Sequence, residues 1–437
     1  MTGPPNGDAD PNGDADPNDA DPAPDQIDRV LIPACLFLLA WVVYAWLNHG
    51  REANLDYFVP LADAFLHGRL GLTEMPSYLN ELVPSRGLAF VVYPPMPALV
   101  LLPAVWVFGP GFEQATASII IGAANVVVVH AILRGMDVRR RPRIVLSLVF
   151  AFGTIVWYSA QAGSSWHFAH VVATAFMLLA IRACQLDART ALIGLLFGAA
   201  VISRLPLIMA APFFAAYIAD RAVRESSGDR TVFGSLTALR PRAWVTRPGW
   251  GRFLELGVPL ASGVALPLIG YLIYDYLRFG SPFETGYALI PGLLQEDQYR
   301  HGFFSVVNIP RKLYALFLSV PVQIEGFPWF QSRHLGGLSI VLTTPLFVWA
   351  LRARQPDWFG LGAWATVGLI LIPILLHADP GGAQFGFRYA QDFYPFLFLL
   401  TVRGLAGRIP VEGWIAIAIG GLINAWGMGS TYFDWWA

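Results

Sequence analysis

Long apolar runs recur along this chain from residue 29 to residue 428, and they restrict its fold more than any other feature. Hydrophobic residues make up 55% of the 437 residues and charged residues only 14%, whereas a soluble domain has roughly 25% charged residues. A backbone inside lipid must satisfy its own hydrogen bonds, so runs of this kind cross the membrane as helices. The sequence therefore predicts an all-α polytopic membrane protein.

About eleven of these runs are predicted to be transmembrane helices, since several approach the roughly 20 residues that a bilayer requires. They are 29–48, 113–134, 144–160, 168–184, 190–203, 206–220, 254–278, 336–352, 358–377, 390–403 and 411–428. The runs 190–203 and 206–220 form one apolar stretch that is broken at Ser203-Arg204-Leu205-Pro206. This stretch is long for one helix and short for two.

Residues 1–28 differ in composition and contain the repeat Pro-Asn-Gly-Asp-Ala-Asp at 5–10 and 11–16. Nothing there can bury a core, so we expect a disordered acidic cytoplasmic tail, followed by one transmembrane domain over 29–437. The acidic composition is also unlike the basic start of a signal peptide. The two cysteines, Cys35 and Cys184, lie inside apolar runs and are expected to be packing residues.

The arginines predict the orientation of the helices. If the most basic connecting segments are cytoplasmic, about 19 Lys and Arg lie inside and about 10 outside, in agreement with the positive-inside rule. These segments are 134–143, 182–189, 220–253, 352–357 and 403–410. The orientation requires that the apolar run 88–108 does not cross the membrane. Four prolines interrupt that run and disfavour a straight helix, so we expect it to re-enter or lie along the outer leaflet.

Acidic residues in the first predicted outer loop, 49–112, are candidates for chemistry. Asp56 follows the first span by fewer than ten residues. It is either the cap of a helix predicted at 57–69 or the catalytic base of a membrane enzyme. Glu81 and Arg86 in the same loop either line a cleft or are solvated.

Arginines at the predicted outer face are candidates for binding an anion. Arg204 lies at the break between two apolar segments, where a charge must face protein or a wet cavity. It is either an anion ligand or the buried partner of a carboxylate. Arg278 and Arg388, the latter beside Tyr389, each lie among aromatics, where an arginine can simply extend toward water. Alternatively, Arg204, Arg388 and Arg300 converge on one side and bind a lipid phosphate. His167 lies in a neighbouring outer loop and is either a cleft residue or an interfacial one.

Several of these residues occur in an order that resembles the GT-C superfamily of membrane glycosyltransferases. The likeness is to bacterial relatives of protein O-mannosyltransferases and of the lipid A aminoarabinose transferase. It covers most of 29–400 in layout and is carried by Asp56, by the segment from Val92-Tyr93-Pro94-Pro95-Met96-Pro97 to Phe108-Gly109, and by Arg278-Phe279-Gly280 with Thr285-Gly286-Tyr287. The turn Gly386-Phe387-Arg388-Tyr389 supports it.

The resemblance implies inverting transfer of a sugar from a polyprenyl-phosphate donor to an acceptor hydroxyl at the extracytoplasmic face. Asp56 would then be the general base, and Arg204 and Arg388 would balance the charge of the lipid phosphate. The chain departs from the pattern at Tyr57, where many members have a second acid. It also has Ser164-Ser165-Trp166-His167 in a loop where some relatives have an aspartate.

The main alternative is a transporter or flippase of a lipid-linked sugar or other solute, although the internal repeat typical of that class is not seen. We expect no cofactor, with the donor lipid as substrate and a divalent metal left open. The expected partners are the polyprenyl-phosphate sugar and a glycan, lipid or protein acceptor, but no nucleic acid. The expected location is the plasma membrane, with the N-terminus cytoplasmic.

Overall fold

The computed structural model describes residues 26–48, 55–227, 247–333, 335–353, 357–382 and 384–432. The predicted tail therefore lies outside the described residues except at its last three positions. Helices form most of the described chain. Its α-helices are α1 Ile32–Leu47, α2 Phe58–Leu66, α3 Met96–Phe108, α4 Gln114–Gly135, α5 Arg140–Phe152, α6 Val156–Ala162, α7 Ser165–Gln185, α8 Thr190–Val201, α9 Ala211–Ser227, α10 Arg247–Phe279, α11 Ile309–Leu313, α12 Ile340–Thr343, α13 Trp358–Leu376, α14 Tyr394–Gly404 and α15 Val411–Tyr432.

Shorter elements connect these helices. Two antiparallel hairpins pair β1 (Leu82–Ser85) with β2 (Leu88–Val91) and β3 (Val322–Gln323) with β4 (Phe330–Gln331). A π-helix, Ile27–Leu31, leads into α1, and a second covers Tyr314–Leu318. The 3₁₀ helices of the described residues are Leu205–Ala210, Tyr287–Leu289, Leu293–Gln295, Asp297–Tyr299, Val306–Asn308, Pro345–Arg352 and Arg388–Asp392.

Seven helices within the described residues are long and apolar enough to cross a membrane, which supports a multi-pass membrane protein. They are Ile27–Leu47, Gln114–Gly135, Ser165–Gln185, Leu205–Ser226, Gly249–Phe279, Trp358–Leu376 and Val411–Ser430. The pair α5 and α6, bent by 52°, gives an eighth span if it is counted as one.

The predicted number of about eleven spans is not confirmed. The run 336–352 divides into the four residues of α12 and a 3₁₀ helix, because Pro345 cannot continue the backbone hydrogen bonding of α12. The run 390–403 loses its first residues to the 3₁₀ helix Arg388–Asp392, so α14 has only 11 residues. α8, in the predicted span 190–203, has only 12.

The break predicted around Arg204 is present. α8 ends at Val201 and a 3₁₀ helix begins at Leu205, so Arg204 lies between them with an extended backbone. The Ser203 hydroxyl donates to the Ala199 carbonyl at 2.8 Å and closes the last turn of α8. The break therefore exposes Arg204 to the space at one end of the helices.

Close packing of α8 against α10 holds this break in place. A Cβ on Gly194 would lie 2.0 Å from the Leu260 carbonyl oxygen, and one on Gly263 would lie 2.2 Å from that of Ala191. Only glycine permits such an approach, and small residues are the usual means by which membrane helices pack closely. This contact fixes the end of α10 that carries Arg278 relative to Arg204.

The run 88–108 contains the second strand of the first hairpin and α3. The 13 residues of α3 extend about 20 Å, less than the roughly 30 Å of a hydrocarbon core, so α3 is too short to cross alone. Whether the run stays on one side remains a prediction.

Two further expectations change in detail. α2 is shorter than the predicted helix 57–69, and it buries Phe58, Val59, Leu61, Ala62 and Ala64 against the protein. Cys35 is exposed on α1, so its assignment as a packing residue was wrong, whereas Cys184 is buried as expected.

Candidate active site

The loop that carries Asp56 is held between the first residues of α4 and α7. The Leu55 carbonyl accepts from the Ser165 N–H at 3.1 Å, and the Tyr57 N–H donates to the Ser165 hydroxyl at 2.8 Å. On the other side, the Phe58 N–H donates to Gln114 Oε1 at 3.3 Å. Because both neighbours of Asp56 are bound to helix ends, its carboxylate has a defined position.

The Asp56 carboxylate has the properties of a weakly solvated base. Burial raises its pKa to about 6, although N–H groups of Val59, Gln114 and Phe58 act in the opposite direction. Oδ1 accepts from the Val59 N–H at 3.2 Å, which is the bond of a helix cap. No basic side chain of the described residues forms an ion pair with it. The capping and catalytic interpretations are therefore compatible.

Tyr57 connects this loop to Glu81. Its hydroxyl donates to Asn80 Oδ1 at 2.9 Å and accepts from the N–H groups of Asn80 and Glu81 at 3.1 and 3.0 Å. Trp166 Nε1 donates to Glu81 Oε2 at 3.2 Å and to the Tyr93 hydroxyl at 2.6 Å. Burial raises the pKa of Glu81 to about 7, while the Trp166 hydrogen bond and the Arg388 charge lower it.

Charged side chains from four parts of the chain surround the Tyr389 ring. The Lys312 Nζ lies 4.6 Å from the ring centroid, and the guanidinium carbons of Arg388 and Arg204 lie 5.2 and 5.8 Å from it. The guanidinium carbon of Arg388 also lies 5.1 Å from the Trp166 ring, next to Glu81. We call the following residues the Tyr389 cluster: Tyr389, Arg204, Arg388, Lys312, Asp379 and Asp392.

Arg204 is paired with a buried carboxylate inside this cluster. Its Nε and Nη2 donate to Asp392 Oδ1 and Oδ2 at 3.2 and 3.0 Å, and His170 Nδ1 lies 3.0 Å from Oδ1. Asp392 has no exposed side chain, whereas 21% of the Arg204 side chain is exposed. The pairing supports the structural interpretation of Arg204. Its remaining N–H groups are free of Asp392 and can still approach a ligand.

Asp379 is the second carboxylate of the cluster. Its Oδ1 accepts from the Gly381 N–H at 2.9 Å, its Oδ2 accepts from the Tyr389 hydroxyl, and Arg388 Nη2 lies 3.8 Å away. Burial opposes ionisation, but Arg388, Tyr389 and Gly381 together lower the pKa of Asp379 below its ordinary value. Asp379 is therefore an anion that holds Tyr389 and Arg388 in position.

The structure brings together only part of the predicted site. Arg204, Arg388 and Tyr389 lie in one cluster, with Glu81 next to it through Trp166. The other three predicted binding residues lie elsewhere: His167 is buried with its Nδ1 2.8 Å from the Ser164 hydroxyl, Arg86 is exposed in the turn between β1 and β2, and Arg300 is exposed and donates to His301 Nε2 at 3.0 Å.

The sequence analysis did not identify three members of the cluster: Asp392, Asp379 and Lys312. Asp392 lies in the aromatic stretch just after Arg388, where it has no pattern of its own. Asp379 stands in an Asp-Pro-Gly-Gly turn that has the composition of an ordinary loop. Lys312 has a clear signal that was not used, because it is the only lysine of the chain: one Lys and 28 Arg account for its 29 basic residues.

No group of three or more His, Cys, Asp or Glu suited to a metal ion occurs within the described ranges of the chain. The charged groups that are present can bind an anion between Arg388, Lys312 and Arg204 and can accept a proton at Asp56.

Comparisons with known proteins give distant structural neighbours. No protein-family model and no curated protein matches the sequence. Archaeal oligosaccharyltransferase AglB from Archaeoglobus fulgidus, solved with an inhibitory peptide and a dolichol-phosphate, aligns at a TM-score of 0.43 and 12% identity over 94% of this chain and 56% of that chain. The oligosaccharyltransferase of the same organism, tethered to an acceptor peptide containing the NVT sequon, aligns at a TM-score of 0.40 and 13% identity. This alignment covers 94% of this chain and 55% of that chain.

Both neighbours are oligosaccharyltransferases. The chain spans little more than half the length of either one.

Proposed function

We propose that the protein transfers a sugar from a polyprenyl-phosphate donor to an acceptor hydroxyl, with inversion at the anomeric carbon. The observation that supports this most is a combination at one end of the helices: a partly buried carboxylate that forms no ion pair with the described residues, and a cluster that contains three cations. Asp56 and the Tyr389 cluster are connected through Ser165 and Trp166, neighbours at the start of α7. The apolar helices around them suit a donor with a lipid chain.

In the proposed reaction, the acceptor hydroxyl transfers its proton to Asp56 as its oxygen attacks the anomeric carbon. The bond between that carbon and the phosphate oxygen breaks, and the electron pair stays on the oxygen, which leaves as polyprenyl phosphate. The negative charge that develops there requires cations close by. Arg388 and the remaining N–H groups of Arg204 provide them, and Asp379 holds Arg388 in place.

A turnover assay tests this function against the flippase alternative. Purified protein is given a polyprenyl phosphate that carries a radiolabelled sugar, together with a crude cell-envelope extract as acceptor. A transferase releases polyprenyl phosphate in the same amount as labelled acceptor, whereas a flippase only moves the intact donor between leaflets. Movement of the donor across reconstituted vesicles without any release would exclude the transferase function.

The face of the membrane on which the site lies is part of the proposal. The exposed Arg300 belongs to the site end, and the half-exposed Arg140 at the start of α5 belongs to the opposite end. With both native cysteines replaced, a cysteine at position 300 should react with an impermeant thiol reagent in intact cells, and one at 140 should not. The reverse labelling pattern would place the site in the cytoplasm.

A further inference from the structure

Lys312 is buried in a way that distinguishes it from the other buried cations. It lies on α11, only 1% exposed, and its Nζ donates to the Asp379 carbonyl oxygen. No carboxylate of the described residues forms an ion pair with it. A buried ammonium group without a carboxylate is unfavourable, because one carbonyl replaces little of its hydration.

Other buried basic side chains have carboxylate partners. Arg278, which is fully buried, pairs with Asp275, and Arg224 pairs with Asp220 at 2.7 Å. The chain uses arginine at every basic position except 312. Lysine differs from arginine in being a compact charge that loses its proton readily when buried. Among the described residues, this single lysine occupies a buried position without a carboxylate partner, which points to a group whose counter-ion arrives from outside.

The groups around Lys312 define the space that an anion would enter. On its own helix, Arg311 donates to the Ala378 carbonyl and is exposed. From the end of α13 come His377 and Asp379, and from the 3₁₀ helix come Arg388 and Tyr389. Asp379 is already bonded to Tyr389 and Gly381 through its carboxylate. Positive charges near Lys312 therefore outnumber negative ones. The Asp379 side chain is 26% exposed, so a ligand can reach this space from outside the protein.

We propose that Lys312 is a ligand for the phosphate group of the lipid-linked donor, which it binds beside Tyr389 together with Arg388. The identity of this anion rests on the proposed function, whereas the anion site itself rests on the unpaired lysine. The Lys312 ammonium would donate two hydrogen bonds to phosphate oxygens while it keeps its bond to the Asp379 carbonyl. Arg388, held by Asp379 and by the Gly382 carbonyl at 2.9 Å, would approach the same phosphate from the other side.

A consequence is that binding should be linked to protonation. Burial lowers the pKa of Lys312 to about 7, with Arg311 and Arg388 acting in the same direction and Asp379 against them. A bound phosphate favours the charged form, so the pKa rises and the protein takes up a proton when it binds above pH 7. Affinity should therefore fall as the pH rises above 7.

The single lysine allows a direct experiment on the full-length protein in detergent. Lysine labelled with ¹³C at Cε, supplied during expression, labels Lys312 and no other residue of this chain, so NMR reads a single side-chain signal while the ammonium keeps its three N–H groups. Farnesyl phosphate, inorganic phosphate and farnesol are then added separately while the pH is varied.

We expect farnesyl phosphate to shift the Lys312 signal and to raise its titration midpoint, and farnesol to leave both unchanged. A shift with farnesyl phosphate alone identifies a lipid phosphate. An equal response to inorganic phosphate identifies a site for free phosphate and overturns the lipid assignment. A Lys312 signal that stays unchanged while farnesyl phosphate quenches tryptophan fluorescence would show that the anion binds elsewhere.

Substitutions provide a second readout. Lys312→Met keeps the length of the side chain and should weaken farnesyl phosphate binding about 10- to 100-fold, the range for a hydrogen bond to a charged group. Lys312→Arg should restore part of the affinity but remove its decrease above pH 7. The control Arg311→Met, one residue away and exposed, should change affinity less than threefold. Equal affinities for Lys312→Met and the parent would overturn the inference.

Failure of this inference is distinguishable from failure of the proposed function. If the parent transfers sugar and Lys312→Met binds donor normally, only the role of Lys312 is wrong. If Lys312 responds to farnesyl phosphate but no sugar is ever transferred, the anion site stands and the transferase function falls. If the parent binds neither phosphate, the inference is overturned together with the function.

Discussion

Asp56 and Asp357 make the same local hydrogen bond at opposite ends of the molecule. Asp56 Oδ1 accepts from the N–H of Val59 at 3.2 Å, and Asp357 Oδ1 accepts from that of Gly360 at 2.7 Å. Asp357 is also held by Arg403, whose Nη1 and Nη2 donate to its two oxygens at 2.7 Å each. Asp56 has no such partner among the described residues.

The two ends of the helix bundle likewise differ in how their charged side chains are paired. α13 begins after Asp357 and ends just before His377 and Asp379, and its 19 residues separate the two ends by about 28 Å. At the Asp357 end, which we call the arginine end, ion pairs join elements of the structure, as between Arg143 and Asp28. At the site end, neither Asp56 nor Lys312 forms an ion pair within the part of the chain that the structure describes. Matched charges stabilise the fold, whereas unmatched ones are available to a substrate.

The largest effect is expected for Asp56→Asn. The amide oxygen can still accept from the Val59 N–H, so the cap remains while the base is lost. Turnover should fall about 10²- to 10⁴-fold, the usual contribution of a general base, with donor affinity nearly unchanged. The matched control is Asp357→Asn, which should lower stability and leave turnover within a few-fold of the parent. If the two variants lose activity equally, the two ends do not differ as described.

The next effect concerns the stability contributed by Arg204. Arg204→Leu leaves the buried Asp392 carboxylate without its cation, which should destabilise the protein by about 3–5 kcal/mol. The double variant Arg204→Leu/Asp392→Leu should recover most of that loss. Denaturation in detergent measures the three free energies of unfolding. If the double variant is no more stable than Arg204→Leu, the pair is not what keeps Arg204 in the structure.

A smaller effect separates binding from stability. Arg388→Leu should weaken binding of farnesyl phosphate about 10-fold or more, since a charge-assisted hydrogen bond contributes about 1.5–3 kcal/mol. Arg388→Lys should restore only part of it, because lysine lacks the bidentate fork. Arg403→Leu, at the arginine end, should lower the thermal midpoint without changing donor affinity. Fluorescence titration and thermal denaturation provide the two measurements.

The smallest effect is expected at Glu81, and it tests which carboxylate is the base. A base must be ionised, so turnover should decrease as the pH falls through about 6, the raised pKa of Asp56. Glu81→Gln can still accept from Trp166 and should cost only a few-fold in turnover, with this decrease unchanged. A pH–rate profile whose acidic limb disappears in Glu81→Gln would assign the proton transfer to Glu81 instead.

Local sequence patterns were sufficient for the features that depend on neighbours in the chain. The long apolar runs predicted most of the spanning helices, and Ser203-Arg204-Leu205-Pro206 predicted the break after α8, since proline and a charge both interrupt an apolar helix. They failed for 336–352, where Pro345 divides an apolar run into short helical pieces. Hydrophobicity measures the length of a run but not the continuity of its hydrogen bonds.

The apolar runs and the positions of the arginines along the chain predicted a membrane protein whose most basic connecting segments share one side, because both depend on the transfer of side chains between water and lipid. Only the tertiary structure decided which charges meet. Lys312 and Asp379 are 67 residues apart, and Arg204 and Asp392 are 188 apart. Their pairing depends on how α8, α11, α13 and the 3₁₀ helix at Arg388 pack. The sequence does not show whether a charged residue has a partner of opposite charge. Here Arg204 has such a partner, which makes it structural, whereas Lys312 has none among the described residues and is available to a ligand.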